Sequence, residues 1–312
     1  MERVKLNIIS GDAAMLALAS SASSKGLRGS VHSVFRHAVN IRLDGSPEIA
    51  TLVSRALPDA PNTLVVDSPD FTKVELSADL PVTSDGGQVS VGALLLLDCG
   101  QAAAWAEPEL NYPLDDARLR ENMKHLYLEY RLIPGQDPAS SQTLSVFARE
   151  ASVFAREASA MLRKATADLS EALLRRDTTR AKAETRNILG LGLGFTPSGD
   201  DIMLGLLGSL SIKGAPGLEF KNFGRAVAQE AYQATNPVSA TSVAKAAEGR
   251  LNSIISGFLH ALMHLESPLP QLALRKVLQI GSSSGADIAY GLLKGMELNL
   301  ALSRSREALF AG

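Results

Sequence analysis

The sequence holds a single cysteine, Cys99, among 312 residues. An intramolecular disulfide and a cysteine-based zinc cluster each need more than one thiol, so both are excluded. Cys99 follows the apolar run Leu94–Leu97, which predicts a place in the core. Aromatic residues make up only 5% of the chain, too few for a base-stacking platform. Charge of one sign is lacking too. The net charge is -2, with Lys and Arg scattered, so nothing supplies the electrostatic footprint of a protein that binds nucleic acid or an anionic membrane. No apolar run approaches the roughly 18 residues of a membrane helix. Arg3 and Lys5 ahead of Ala13–Ala19 imitate a secretory leader. Asp12 interrupts it and no cleavage site follows, so the expected location is the cytoplasm.

Several catalytic templates are also missing. The GxxxxGK[ST] phosphate loop, the GxGxxG dinucleotide loop and the HExxH zinc motif do not occur. His260 and His264 are four apart on one helical face, but HALMH lacks the Glu and a third ligand. A half-buried helix face is the expectation there. Arg36 and His37 fall in a strand-like run and read as an exposed strand face.

What is present fits a soluble globular protein. Hydrophobic residues are 46% and charged residues 21%, enough to bury one large core or two smaller ones. The chain changes character near residue 112, and an α+β organisation is expected. A β-rich N-terminal domain would span 1–112, and a mainly helical domain 113–312. In the first part Val31–Leu43, Thr63–Val66, Phe71–Leu76 and Val89–Leu97 alternate in strand fashion between Gly, Pro, Asp and Ser clusters. A helix is expected near Asp12–Ser20. In the second part a turn at Pro134–Pro138 precedes a long helix. Further helices are expected around 201–212, 219–233, 239–264, 269–280 and 286–304. The long helix carries a tandem repeat, SVFAREA at 145–151 and again at 152–158. Its seven-residue period puts Phe147, Phe154 and Met161 on one stripe and Ala151, Ala158 and Ala165 close by. An internal helix pair is the favoured reading, over a seam for another protein.

The densest chemistry lies in GLGLGFTPSGDDIMLGLL, residues 190–207. Alternating glycines at 190, 192 and 194 allow unusual dihedrals and close backbone approach. Thr196-Pro197 suits an N-cap followed by Pro, and Ser198-x-x-Asp201 equally suits a capping box. Either way a helix starts here, and its amides and dipole favour an anion. Asp200 and Asp201 supply negative charge at that point, so from spacing alone they read as caps or as a site with similar weight.

A second segment bears on that choice. SGADIAYGLL at 284–293 matches SGDDIMLGLL at 198–207 in seven of ten positions, 86 residues apart. Ser198 pairs with Ser284, Gly199 with Gly285, Asp201 with Asp287 and Gly205 with Gly291, while Asp200 is answered by Ala286. In each copy Asp and Gly are four apart, on one helix face. Two converging helix N-termini are therefore expected, with hydroxyls and the carboxylates of Asp200, Asp201 and Asp287 between them. Such a pocket would take a small anionic ligand, directly or through Mg²⁺. Gly192, Gly194, Thr196, Ser198, Gly199, Ser284 and Gly285 would line it. Thr235 and Ser239, in the hydroxyl-rich turn Thr235–Ser239, are further candidates. Asp200 is the carboxylate peculiar to the first copy, and is the one expected to carry chemistry that the second copy does without, whereas Asp201 is expected to share a structural role with Asp287.

The run Gly190–Asp201 resembles the signature G-L-G-x-G-L-T-P-x-G-D-D of a bacterial family. That family includes the third subunit of oxamate carbamoyltransferase, an enzyme of allantoin degradation. Gly281–Asp287 is similar to a second family segment, Thr235–Ser239 to a short hydroxyl block, and Ser33–Asn40 to an N-terminal stretch. Phe195 stands in place of Leu, and Ser282 where the family tends to have His. The resemblance implies a part in converting oxalurate and phosphate to oxamate and carbamoyl phosphate. It implies no redox cofactor, further protein subunits and possible self-association. Asp200, Asp201 and Asp287 would be its catalytic or cation-binding groups. A metabolite-binding subunit without turnover, and a metal-dependent small-molecule hydrolase, are the alternatives.

Overall fold

The structure, a computed structural model, describes residues 3–22, 25–131, 146–281 and 283–310. Two compact units are formed, residues 1–108 with 251–253 and residues 109–250 with 254–312. The first is β-rich and the second helical, an α+β chain.

In the first unit, β1 (Val4–Asp12) leads into α1 (Ala13–Ser20). Then follow β2 (Arg28–Val34), β3 (Ala38–Leu43), β4 (Ile49–Ser54), β5 (Thr63–Val66), β6 (Pro81–Asp85), β7 (Gln88–Val91), β8 (Leu95–Asp98) and β9 (Ala103–Trp105). Their order is β5-β4-β3-β2-β6-β7-β8-β1-β9, and β5 also pairs with β1. That pairing closes eight strands into a barrel, which removes the open edges a sheet otherwise presents. β1 makes the closure possible. Val4–Asn7 run parallel to Leu95–Asp98, and a register shift between Ile8 and Ser10 then lets Ser10–Asp12 pair with β9. Side chains from alternate strand positions fill the interior, among them Ile8, Val31, Ile41, Leu52, Leu64, Val89 and Leu97. Each such side chain stabilises by roughly 1.5–3 kcal/mol. Met15, Leu16 and Ala19 of α1 join the same core. Asp12 holds that helix in place by accepting from the Ala14 amide at 3.0 Å. Cys99 also lies in this core, and burial pushes its thiol up to about 11.

Three strand expectations change. Val89–Leu97 is two antiparallel strands, β7 and β8, because the chain reverses after Val91 at Gly92, which has φ +52. Val31–Leu43 is two strands, because the chain reverses at Phe35–His37, where the Phe35 amide donates to Ala38 O. Phe71–Leu76 is not a strand. Its amides make local turns, Val74 to Phe71 O and Leu76 to Val74 O. The apolar alternation there packs Phe71, Val74 and Leu76 onto the barrel from outside the ladder.

The second unit contains α2 (Ala117–Arg131), α3 (Val146–Leu174), α4 (Thr178–Thr185) and α5 (Ser198–Leu210). A 3-10 turn at Pro216–Phe220 leads to α6 (Lys221–Ala234), α7 (Pro237–Ala247), α8 (Ser253–His264), α9 (Leu269–Leu278) and α10 (Ser284–Phe310). The single helix expected over 239–264 is thus two. Gly249, at φ +81, ends the first, since a left-handed residue stops the helical ladder. In α3, Ala158 and Ala165 are buried but Met161 is exposed, so the small residues rather than Met161 face the neighbouring helices. Phe147, Ala151 and Phe154 fall on α3, while the Pro134–Pro138 turn lies outside the described residues. Among the described residues no helix is long and apolar enough to cross a membrane.

α5 and α10 form the centre of this unit, related by the 86-residue offset. Gly205 of α5 faces the backbone of α10, and Gly291 of α10 faces the backbone of α5. A Cβ on Gly205 would lie 2.3 Å from Ile288 O, and one on Gly291 would lie 2.1 Å from Ile202 O. One turn on, Ser209 donates to Leu292 O at 3.0 Å, while its counterpart Gly295 abuts Leu206 O. The repeat is therefore a pseudo-twofold crossing, in which only small residues let the backbones meet.

Candidate functional site

The crossing brings the N-termini of α5 and α10 together. Each serine reaches across to the other helix. The Ser284 hydroxyl favours the charged form of Asp201, and Ser198 that of Asp287. Thr196, just ahead of α5, shares a 2.8 Å hydroxyl contact with Ser284 and also bonds to Asp201. Neither Asp200 nor Asp201 caps its own helix. Pro197 takes the N-cap position and no side chain bonds to the first-turn amides. The capping box between Ser198 and Asp201 does not form, because both side chains are turned toward α10.

Asp200 points the other way. Its Oδ1 accepts from the Gly190 amide at 2.8 Å, and its Oδ2 from the Thr235 hydroxyl at 2.5 Å. Ser239 adds a further bond. The carboxylate thus ties the glycine run to the junction of α6 and α7. Asn236 reinforces the same tie. It caps α7 by accepting from the Val238 and Ser239 amides, and its Nδ2 donates to Phe195 O at 2.8 Å. Asn236 is not among the expected site residues, although Asn before Pro at a helix start is a capping signal.

The glycine run is a local consequence of these ties. Gly190 has φ +74, and a Cβ there would lie 2.5 Å from Ala234 O. Gly192 has φ +131, and its Cβ would strike the Ser198 amide at 2.5 Å. No other residue follows that path without strain. Gly194 (φ +105) is less crowded, since a Cβ there would meet only Thr196 O at 3.8 Å, and Leu193 and Phe195 are exposed beside it. Gly199 and Gly285 allow each helix start to abut a carbonyl of the preceding segment, Ile188 O in the turn after α4 and Val277 O at the end of α9.

Hydrogen-bond donors are unevenly distributed. The Gly199 amide donates to Leu191 O, and the Asp200 and Asp201 amides to Pro197 O. In α10, Gly285 donates to Ile280 O, and Ala286 and Asp287 to Ser283 O. The first-turn amides expected to meet a ligand are thus already engaged. Among the described residues, the amides of Gly192, Leu193 and Gly194 find no protein acceptor. Beside Gly190 and Leu191 the surface opens into a cleft of about 480 Å³ lined also by Lys164, Asp168, Arg186 and Asn187.

Burial governs the acids. Asp200 is 2% exposed and Asp201 6% exposed. Burial raises Asp200 above the usual carboxylate range, against the pull of its hydrogen bonds. Burial raises Asp287 as well, with Ser198 opposing. Asp201 is pushed up to about 7, mainly by burial and further by the neighbouring Asp287 and Asp200 carboxyls, with Ser284 and Thr196 opposing. One oxygen of Asp201, Oδ2, is buried without a hydrogen-bond partner.

Among the described residues no three His, Cys, Asp or Glu side chains are grouped to hold a metal ion. His260 and His264 are both exposed on α8, their rings 5.1 Å apart, and His264 Nε2 contacts Asn111 O at 3.0 Å. Arg36 pairs with Asp70 at 3.4 Å, and His37 Nδ1 lies 3.0 Å from Ser54 Oγ. Ser282 lies outside the described residues.

Comparison with known proteins follows the same division. No solved structure matches the chain. Residues 7–104 match the model of the AllH family N-terminal domain, which spans nearly all of the barrel. Residues 188–296 match the model described as oxamate carbamoyltransferase subunit AllH. That segment begins just before the glycine run and contains α5 through the first half of α10. The two matches together cover most of the chain, and the protein belongs to the AllH family of oxamate carbamoyltransferase subunits.

Proposed function

We propose that the protein works as one subunit of a cytoplasmic, heteromeric carbamoyltransferase that interconverts oxalurate and phosphate with oxamate and carbamoyl phosphate. Its small anionic substrate would bind where α5 and α10 converge. The observation that carries the reading is the family match over 188–296, which contains the reciprocal Ser–Asp crossing and the glycine run. The reaction moves a carbamoyl group without redox change and calls for no redox cofactor. It needs donors for the anionic end of the substrate and groups that handle the amide end. The unengaged amides of Gly192, Leu193 and Gly194 suit the first task, helped by the positive ends of two helix dipoles. Asp201 and Asp287 suit the second, while Asp200 positions the glycine run.

The test is carbamoyl phosphate formation from oxalurate and phosphate. The chain would be assayed alone and with the proteins that co-purify with it, with and without Mg²⁺. Activity that appears only with partners supports the subunit reading. Substrate binding without turnover in every mixture supports a metabolite-binding subunit instead. Mg²⁺-dependent hydrolysis by the chain alone supports a hydrolase acting through Asp200, Asp201 and Asp287.

A further inference from the structure

The carboxylate cluster has more acceptors than donors. Asp200 is satisfied by the Gly190 amide, Thr235 and Ser239. Asp287 has Ser198. Asp201 has Ser284 and Thr196, yet its Oδ2 is left with no partner although the residue is only 6% exposed. The charged groups that act on Asp201 are carboxyls, Asp287 first and then Asp200. A buried acceptor without a donor is unfavourable, and a ligand that brings N–H groups relieves it. A ligand carboxylate brings none at neutral pH and adds a like charge beside the existing acids.

We propose that the free Oδ2 of Asp201 accepts from the N–H of a primary amide, so that the site selects a carboxamide over a carboxylate at that end of its ligand. This rests on the carbamoyltransferase reading and sharpens it. Oxalurate, oxamate and carbamoyl phosphate differ at their anionic ends, but all present a carbonyl bearing an unsubstituted amino group. The amide end goes to Asp201, and the anionic end to the unengaged amides of Gly192–Gly194. Since Oδ2 is closed off from solvent, the Thr196–Ser284 contact opens to admit the ligand.

Oxamate and oxalate have the same number of non-hydrogen atoms and differ at one end, a carboxamide against a carboxylate. Isothermal titration of the full chain with each at pH 8.5, above the value of about 7 at which the Asp201 carboxyl loses its proton and can only accept, decides the matter. The wild type is expected to bind oxamate about 10-fold to 100-fold more tightly than oxalate, as for one hydrogen bond to a charged group. In Asp201→Asn the side chain offers an N–H of its own, so the preference is expected to vanish or reverse, with the thermal melt retained. Equal affinities in the wild type overturn the inference, whether or not the variant folds. An unchanged preference in Asp201→Asn overturns it too. Both results leave the binding reading standing. If the wild type binds neither oxamate, oxalurate nor carbamoyl phosphate, the reading beneath the inference fails with it.

Discussion

Gly205 lies so close to Ile288 that a Cβ would sit 2.3 Å from the Ile288 carbonyl oxygen. The atom it meets is backbone, so no rotamer change relieves the clash. Gly205→Ala must push α5 and α10 apart, and so must Gly291→Ala at the equivalent point on Ile202. Each is expected to destabilise by about 3 kcal/mol or more, the upper end for overpacking. Gly257 in α8 is the control, with nothing within 4 Å of a Cβ. There Gly257→Ala is expected to stabilise by roughly 0.5–1 kcal/mol through helix propensity. Urea unfolding of the three variants checks both signs. A mild effect at Gly205 would mean that the helices do not cross at this distance.

The pH dependence of stability has a defined direction at Asp201. Its carboxyl is raised to about 7 in the folded protein, against roughly 3.9 in an unfolded chain. The folded state therefore holds an extra proton between those values. The stability this contributes is full below about pH 4 and is lost as pH rises through about 7. A tenfold change in the ionisation equilibrium corresponds to about 1.4 kcal/mol, so the total is on the order of a few kcal/mol. Asp200 and Asp287, also raised by burial, act in the same direction. Asp70 and Asp168 have lowered values and lose their contributions at acid pH instead. Asp201→Asn is neutral at every pH, so the variant is expected to gain on the wild type from pH 5 to about pH 7 and to level off by pH 8. Urea midpoints of the two proteins at each pH supply the difference. A constant difference would show that Asp201 stays ionised throughout.

Asp200 and Asp201 are neighbours in sequence, yet their removal should be felt in different places. Asp200→Ala leaves the Gly190 amide and the Thr235 hydroxyl without their acceptor. A cost of roughly 2–4 kcal/mol is expected from the two orphaned donors. Hydrogen exchange should quicken in peptides covering 188–197 and 232–240, because that carboxylate fastens one to the other. In Asp201→Asn those peptides should keep wild-type protection. Similar exchange maps for both variants would contradict this division of labour.

Local pattern reveals the elements better than their partners. The 86-residue repeat marks α5 and α10 and pairs Asp201 with Asp287 in the sequence alone. It does not reveal that each serine serves the other helix's aspartate, since Ser198 reaches Asp287 and Ser284 reaches Asp201. That exchange depends on how the helices cross. The same holds for Asp200, whose partners Gly190 and Thr235 lie 10 and 35 residues away. In the barrel, alternation marks Thr63–Val66 correctly, but the pairing of β5 with β1 that closes the ring is non-local. Phe71–Leu76 has strand-like alternation and is not a strand. Its apolar side chains cover the barrel while its amides turn back on Phe71 and Val74.

Asp12 joins two separate needs of the barrel unit. Its Oδ1 accepts from the Ala14 amide at 3.0 Å and caps α1, while its Oδ2 accepts from the Asn62 amide at 2.6 Å. Asn62 itself has φ +56, at the entry to β5. Asp12→Ala loses a cap, worth about 1 kcal/mol, and leaves the Asn62 amide buried without its acceptor, at roughly 1–3 kcal/mol. A loss of about 2–4 kcal/mol is therefore expected in this unit. Asp12→Asn keeps a single acceptor oxygen, so it restores the cap or the Asn62 bond but not both, and should fall between. Exchange of the amides in α1 and β5 reports the effect directly. Amides of α5 and α10, which belong to the other unit, should hold their protection, and their equal loss would mean that the two units unfold as one.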